Sequence, residues 1–169
     1  MPTDAERVIE TARTAGLSIG VAESLTGGDV CVRLVAVPGS SAVLRGGVVA
    51  YASDIKVRVL GVEQGLLDRY GPVSSETALA MARGVRIALG ADVGIATTGA
   101  AGPEPHGGKP PGTAYVAVDI GEAKPTAVEL HIPGSRRDVC AAVRDAALAL
   151  AAEAIELASQ NGVRGGEQA

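Results

Sequence analysis

The sequence contains no tryptophan, no phenylalanine and only three tyrosines among its 169 residues. Its apolar content is nevertheless 47%, so Val, Leu, Ile and Ala must fill the core. A chain of this length can bury roughly 70% of the surface that it exposes when unfolded, which is enough for one domain. We therefore expect a single domain over residues 1–160, followed by a polar, Gly-rich and flexible tail over residues 161–169.

Cysteine is also scarce. Cys31 and Cys140 both fall in apolar helical patterns, where small buried thiols are common. They predict neither a disulfide framework nor a metal site. No cluster of His, Asp and Glu has the spacing of metal ligands. The sequence therefore predicts no metal and no cofactor.

Long hydrophobic runs and runs of positive charge are missing too. No apolar stretch reaches the roughly 20 residues that span a membrane, and a polar N-terminal helix stands where a signal peptide would be. The net charge of −4, without clustered Lys and Arg, argues against a nucleic-acid surface. We expect a cytoplasmic protein without membrane or nucleic-acid partners.

Helix and strand patterns alternate along most of the chain. Capping residues predict helix starts at Thr3, Ser74 and Ser135. The predicted helices cover residues 3–16, 25–37, 53–60, 62–70, 74–89 and a long segment from 135, and the predicted strands cover 17–22, 41–51, 92–98, 113–120 and 126–132. The last two strands are too close in sequence for a crossover helix and predict an antiparallel hairpin. The expected fold class is α/β, a three-layer α/β/α sandwich with a mixed, mostly parallel sheet of about five strands.

The first candidate site is the segment Glu23-Ser24-Leu25-Thr26-Gly27-Gly28, which lies between a buried strand and a helix. Free main-chain N–H groups and the positive end of a helix dipole would point at a ligand there, and could stabilise an oxyanion or hold a phosphate. The structural alternative is a hydroxyl that only caps the helix. The segment is neither a Walker loop nor a G-x-S-x-G elbow.

Two further segments are predicted near the same edge of the sheet. Tyr51 and Lys56 leave a strand end and enter a helix, although a solvated surface lysine is the common alternative. A Gly/Pro loop over 99–112 is long for a compact domain, which favours a functional role over a merely mobile loop. The choice of a general base is narrow, because the lysines and histidines of the chain are Lys56, Lys109, Lys124, His106 and His131.

Five motifs occur in order along the chain: Glu23-Ser24-x-Thr26-Gly27-Gly28, Gly47-Val48-Val49-Ala50-Tyr51 with Lys56, Thr98-Gly99-x-Ala101-Gly102-Pro103, Lys109-Pro110-x-Gly112-Thr113 and Pro133-Gly134-x-Arg136. Together they resemble the C-terminal domain of the CinA (competence/damage-inducible protein) family over about residues 5–155. Active members of that family are nicotinamide-nucleotide amidases. The resemblance implies a mixed α/β/α sandwich that hydrolyses nicotinamide mononucleotide, its small-molecule partner, to nicotinic acid mononucleotide and ammonia. It also implies a homo-oligomer by analogy.

The resemblance also assigns roles to individual residues. Ser24 matches the catalytic serine and Lys56 the catalytic lysine, so we hypothesise that Ser24 attacks the carboxamide carbon while Lys56 takes and returns a proton. Tyr51 would relay or orient a proton, and Arg136 would bind the 5′-phosphate. The remaining substrate-binding candidates are Thr98, expected to hydrogen-bond the lysine or the substrate, Gly99, and the residues expected to hold the oxyanion, Thr26, Gly27 and Gly28.

The sequence departs from the family pattern at three positions. Asn often stands where this chain has Ser53, Asp where it has Ser135, and a second arginine where it has Cys140. The last change affects the expected affinity more than the chemistry.

Alternatives to the serine–lysine amidase stay open at this stage. His106 or His131 could complete a histidine triad, another small amide could be the substrate, and the fold could be a catalytically silent nucleotide-binding module. A lysine base also requires a lowered pKa, because an amine with a pKa near 10.4 is neutral only about once in 2,500 at pH 7. Burial can supply that shift.

Overall fold

The structure, a computed structural model, describes residues 1–121 and 123–166. Within them, one five-stranded sheet has the order β2-β1-β3-β4-β5. β1 pairs in parallel with β2 and β3, and β4 pairs antiparallel with β3 and β5, so four strands share one direction. The sheet is mixed and ends in the predicted hairpin. The strands are β1 (Ile19–Glu23), β2 (Leu44–Val49), β3 (Val93–Gly99), β4 (Thr113–Asp119) and β5 (Thr126–His131).

The helices begin at the predicted capping residues. Thr3 and Ser135 each form a complete capping box, and the Ser74 side chain accepts a hydrogen bond from the Thr77 N–H. Gly16 ends the first helix in a left-handed conformation. The helices are α1 (Asp4–Ala15), α2 (Asp29–Val35), α3 (Ser53–Leu60), α4 (Gln64–Tyr70), α5 (Ser75–Ala88) and α6 (Arg136–Gln160).

The helices cover both faces of the sheet and give the expected three layers. Helices α1, α2 and α6 bury apolar side chains against one face, and α3, α4 and α5 do so against the other. The central strands β1, β3 and β4 are buried along their whole lengths, whereas β2 and β5 are partly exposed edge strands. No described helix is both long enough and apolar enough to cross a lipid bilayer.

Glycine allows helix α5 to lie unusually close to its neighbours. A methyl group at Gly84 would overlap the main-chain carbonyl of Leu60 in α3, and one at Gly94 in β3 would overlap the carbonyl of Ala82 in α5. This close packing is how a chain without Phe or Trp fills its interior with small side chains.

Two predicted boundaries need correction. Helix α2 begins at Asp29 instead of Leu25, because Gly27 and Gly28 have positive φ angles of 61° and 108° and form a turn. Strand β2 covers only Leu44–Val49, after a short 3-10 turn at Ser40–Ala42. The register of β2 against β1 shifts between Leu44 and Gly46, so that Arg45 is an extra residue in β2.

After α6 the chain turns back toward α1. Val163 packs against the core, and the Gly165 N–H donates to the Ala15 carbonyl. Residues 167–169 of the predicted flexible tail lie outside the described residues.

Candidate active site

The sheet topology brings the candidate residues together at one end of the sheet, beyond the carboxyl ends of β1, β2 and β3. β1, β2 and β3 are parallel, so the segments that follow them leave from the same side of the sheet, as in other open α/β sheets with ligand sites. A cavity of about 310 Å³ opens there. The side chains and backbone that line it are those of Ser24, Leu25, Tyr51, Gly99, Ala101, Gly102, Pro103, Glu104, Pro105, His106 and Arg136.

Ser24, which lines this cavity, forms a hydrogen-bonded pair with the buried Lys56 behind it. The Lys56 Nζ atom lies 3.1 Å from the Ser24 Oγ atom. Ser24 is 7% exposed and Lys56 is 1% exposed, so Lys56 is among the most buried side chains of the molecule. The alternative of a solvated surface lysine is therefore excluded, and the pair has the geometry that a nucleophile and its base require.

The other contacts of Lys56 suit an uncharged amine. Its Nζ donates to the carbonyls of Ala50, at 2.8 Å, and Tyr51, at 3.3 Å. Burial lowers the pKa of Lys56 from 10.5 to about 8. A neutral amine has two hydrogens, which these carbonyls accept, and a lone pair that is then free to accept the Ser24 hydroxyl proton.

Main-chain hydrogen bonds hold the turn that carries Ser24. The Ser24 N–H donates to the Thr97 carbonyl, and the Gly27 N–H donates to the Ser24 carbonyl. The hydroxyls of Thr26 and Thr97 share a hydrogen bond of 2.8 Å. The turn is thereby fixed to β3.

Glu23, the first residue of the first motif, holds the start of α2, a role that the sequence did not predict. Its buried carboxylate accepts hydrogen bonds from the N–H groups of Gly28, Val30 and Cys31, at 3.0, 3.1 and 2.9 Å. The signal that could have revealed it is an acidic residue shortly before a helix whose N-cap, Gly28, has no side chain.

These bonds correct the predicted oxyanion donors. The N–H groups of Gly27 and Gly28 are already bonded to Ser24 and Glu23, and neither glycine lines the cavity. The N–H groups of Leu25 and Thr26 have no acceptor within the described part of the chain. Of the three predicted donors, only Thr26 has an N–H that is available.

Arg136 and Tyr51 meet at the mouth of the cavity. Arg136 donates to the Tyr51 hydroxyl, at 2.7 Å, and to the Gly102 carbonyl, at 3.0 Å. The guanidinium therefore ties the start of α6 to the segment after β2 and to the long loop. Tyr51 is 59% exposed, so its ring is available to a ligand.

Thr98 and the two histidines occupy positions that change their predicted roles. The Thr98 hydroxyl donates to the Pro72 carbonyl, at 2.6 Å, so the hydrogen bond predicted to Lys56 is not formed. His131 is 71% exposed on β5 and pairs with Glu129, and it does not line the cavity. His106 lies on the cavity wall, while the buried partner of Ser24 is Lys56.

Cys140 occupies the position where relatives often have a second arginine. Its Sγ donates to the Leu25 carbonyl, at 3.1 Å. The thiol thus supports the turn that carries Ser24 from the side of α6. Burial raises the pKa of Cys140, which favours the protonated thiol that this donation needs.

Over residues 1–121 and 123–166, no group of three or more His, Cys, Asp or Glu side chains has a geometry that could hold a metal ion.

The fold and the site together define a class: a three-layer α/β/α domain with a buried serine–lysine pair beside free main-chain donors at the sheet edge. The chain belongs to the CinA family, since the model of the CinA C-terminal domain matches residues 2–155. CinA-like proteins of Frankia casuarinae and Gemmatimonas aurantiaca are 50% and 48% identical over 119 and 126 residues. These matches cover 70% and 73% of this chain, but only 27% and 29% of those relatives.

Solved structures agree with this assignment. A CinA superfamily protein from Klebsiella pneumoniae superimposes with a TM-score of 0.86 at 29% identity, covering 91% of this chain and 96% of that one. A competence or damage-inducible protein from Enterobacter asburiae gives 0.85 at 30% identity, covering 92% and 99%. The chain spans 27% to 33% of the length of the curated relatives that it matches, but nearly the whole of these solved structures.

Proposed function

We propose that this domain is a nicotinamide-nucleotide amidase that converts nicotinamide mononucleotide and water to nicotinic acid mononucleotide and ammonia. The observation that carries the proposal is the 3.1 Å contact between the Ser24 hydroxyl and the buried amine of Lys56. A binding module needs no such pair, whereas amide hydrolysis needs both a nucleophile and a proton carrier.

In the acylation step, the Ser24 Oγ forms a bond to the carboxamide carbon as its proton passes to the Lys56 Nζ. The tetrahedral intermediate then breaks its C–N bond, and the Lys56 ammonium protonates the leaving ammonia. In the second half of the reaction, Lys56 takes a proton from water, whose oxygen attacks the ester. The proton then returns to the Ser24 Oγ as the carboxylic acid departs.

The oxyanion of this intermediate binds the N–H groups of Leu25 and Thr26. These two amides follow the nucleophile directly and lack other acceptors among the described residues. Preorganised N–H donors of this kind typically contribute several kcal/mol to such a transition state, and loss of one donor costs about 10²–10³ in kcat.

The charges around the cavity suit a nucleotide with a cationic ring. Arg136 at the mouth offers a planar fork for a phosphate. Glu104 on the wall and the exposed ring of Tyr51 suit the positive charge of a pyridinium. The phosphate belongs at the mouth, because an anion close to Lys56 would raise the pKa of the amine and oppose its role as a base.

The proposal is tested by incubating the purified protein with nicotinamide mononucleotide and following ammonia. We expect Ser24→Ala to abolish release, and Ser41→Ala, an exposed serine away from the cavity, to leave it unchanged. We also expect kcat/KM to rise with pH up to about 8 and then level off, because Lys56 must be neutral in the free enzyme.

Three results would contradict the proposal in different ways. Release that survives Ser24→Ala would remove the assigned nucleophile. Release from another small amide but not from the nucleotide would change the substrate. A nucleotide-dependent rise in Tm without any ammonia would identify a silent binding module.

A further inference from the structure

Glu23 is a buried carboxylate without a cationic partner. It is 1% exposed, and within the described part of the chain no Lys, Arg or His forms a salt bridge with it. A buried charge is costly unless hydrogen bonds compensate for it. The compensation comes from three main-chain N–H groups at the start of α2, where the helix dipole also favours a negative charge.

These hydrogen bonds close a short loop around the nucleophile. Glu23 ends β1, and its donors Gly28, Val30 and Cys31 lie five, seven and eight residues later. Ser24 and the two free amides lie between the joined ends. Gly28 stands at the N-cap and has no side chain to cap the helix, so the carboxylate of Glu23 takes over that function from outside the helix.

We infer that Glu23 is a positioning residue, which fixes the loop from Ser24 to Gly27 and thereby holds the free N–H groups of Leu25 and Thr26 in place beside the Ser24 hydroxyl. This inference rests on the proposed function of the same site. It also means that the start of α2 is filled by the protein's own carboxylate. The substrate phosphate therefore binds elsewhere, and the Gly27-Gly28 turn is not a phosphate site.

Glu23→Gln tests the inference, with Asp29→Asn as a matched control. Glutamine keeps the size of the side chain but offers one acceptor oxygen and places an NH₂ group against a main-chain N–H. Asp29 is also an acidic residue in the first turn of α2, and its carboxylate pairs with Arg144 away from the nucleophile. We expect both variants to lower Tm. Only Glu23→Gln should lower kcat, by about 10- to 100-fold, with KM within twofold of the wild-type value.

A second measurement does not depend on the natural substrate. A fluorophosphonate probe phosphonylates an activated serine: an O–P bond forms to the serine Oγ, the P–F bond breaks and fluoride leaves, and the phosphoryl oxygen occupies the oxyanion site. Intact-mass spectrometry then gives the labelling rate, with Ser24→Ala as the blank. We expect Glu23→Gln to slow labelling of Ser24 at least tenfold relative to wild type, and Asp29→Asn to label at the wild-type rate.

The two proposals fail in distinguishable ways. If Ser24 of the wild-type protein is labelled but ammonia is not released from the nucleotide, the substrate is wrong, and the labelling rates still decide the role of Glu23. If Glu23→Gln matches Asp29→Asn in both kcat and labelling, Glu23 is only a helix cap and the inference falls. If Glu23→Gln does not fold, kcat and the Ser24 labelling rate are measured on Glu23→Asp instead, which keeps the carboxylate on a shorter side chain. No labelling of the wild-type serine would overturn both proposals.

Discussion

At the scale of single residues, the hydrogen bond from Arg136 to the Tyr51 hydroxyl decides between two roles for Tyr51, in proton transfer or in orienting Arg136. The sequence-based hypothesis made Tyr51 a residue that relays or orients a proton. In the structure its hydroxyl accepts a hydrogen bond from Arg136, while the Ser24 hydroxyl contacts Lys56. We therefore expect Tyr51 to orient the guanidinium that receives the phosphate.

Tyr51→Phe distinguishes these roles. The phenyl ring keeps the cavity wall but removes the acceptor of one guanidinium arm, while the Gly102 carbonyl keeps the other. The loss of about 1 kcal/mol in nucleotide binding should raise KM roughly fivefold and leave kcat within twofold. Steady-state kinetics measures both.

Tyr70→Phe is the control for this prediction, because Tyr70 lies on α4, carries Arg69 over its ring and does not line the cavity. A large fall in kcat with an unchanged KM for Tyr51→Phe would restore the proton relay.

Several residues of the site could be predicted from the sequence, and others could not. Ser24, Tyr51 and Lys56 follow strands whose parallel pairing forces their ends together, so their meeting is a consequence of topology. The partners of individual N–H and hydroxyl groups depend on the exact path of each turn. For that reason the predictions for Gly27, Gly28 and Thr98 did not anticipate Ser24, Glu23 and Pro72 as their partners.

At the scale of elements, helix α5 supports the site from below by lying against both α3, which carries Lys56, and β3. This packing depends on the absence of a side chain at Gly84. The sequence pattern, with its small residues, predicted that α5 is a helix. It could not predict which glycine faces a neighbouring carbonyl, because that depends on how the helices pack in three dimensions.

Gly84→Ala should destabilise the protein even though alanine favours helices. Its methyl group would overlap the Leu60 carbonyl and push α3 away from α5, at a cost of about 1–3 kcal/mol, as for other overpacked cores. Gly65→Ala, at an exposed position of α4 with open space around it, should instead stabilise the protein by up to about 1 kcal/mol.

Urea unfolding of the two variants, monitored by circular dichroism, tests this pair. A midpoint for Gly84→Ala equal to that of the wild-type protein would show that α3 moves aside at no cost in stability. The close approach of α3 and α5 would then not be required for stability.

At the scale of the whole molecule, the buried amine of Lys56 makes stability depend on pH. The pKa of Lys56 falls from 10.5 to about 8 on folding, so between these values the unfolded state binds more protons than the folded state. Stability must then rise with pH in this window, whereas below it Lys56 contributes a constant destabilisation and no pH dependence. The same burial that provides a base therefore costs stability at neutral pH.

Lys56→Met should remove this dependence. Relative to the variant, the wild-type free energy of unfolding is expected to rise by roughly 2 kcal/mol between pH 7.5 and pH 10. Urea denaturation at a series of pH values measures it, with the exposed Lys124→Met as the control. A constant difference between wild type and Lys56→Met over this range would show that the amine keeps an ordinary pKa in the folded state.

The whole-molecule architecture was the most predictable level. Alternating helix and strand patterns and a short final connection indicated three layers and a mixed sheet, and the structure confirms both. Such patterns report burial over many residues and average out local errors. The predicted start of α2 at Leu25 was wrong, because the turn at Gly27 and Gly28 and the cap by the Glu23 carboxylate override the helical pattern of the segment.

Two of the three groups that hold the Lys56 amine are main-chain oxygens, and no amino-acid replacement at positions 50 or 51 deletes them. The wall of the cavity, in contrast, consists largely of loop residues, whose side chains a single substitution can change. On the proposed function, substitutions in the wall would therefore alter which amide binds, whereas the carbonyls that hold the amine would stay in place.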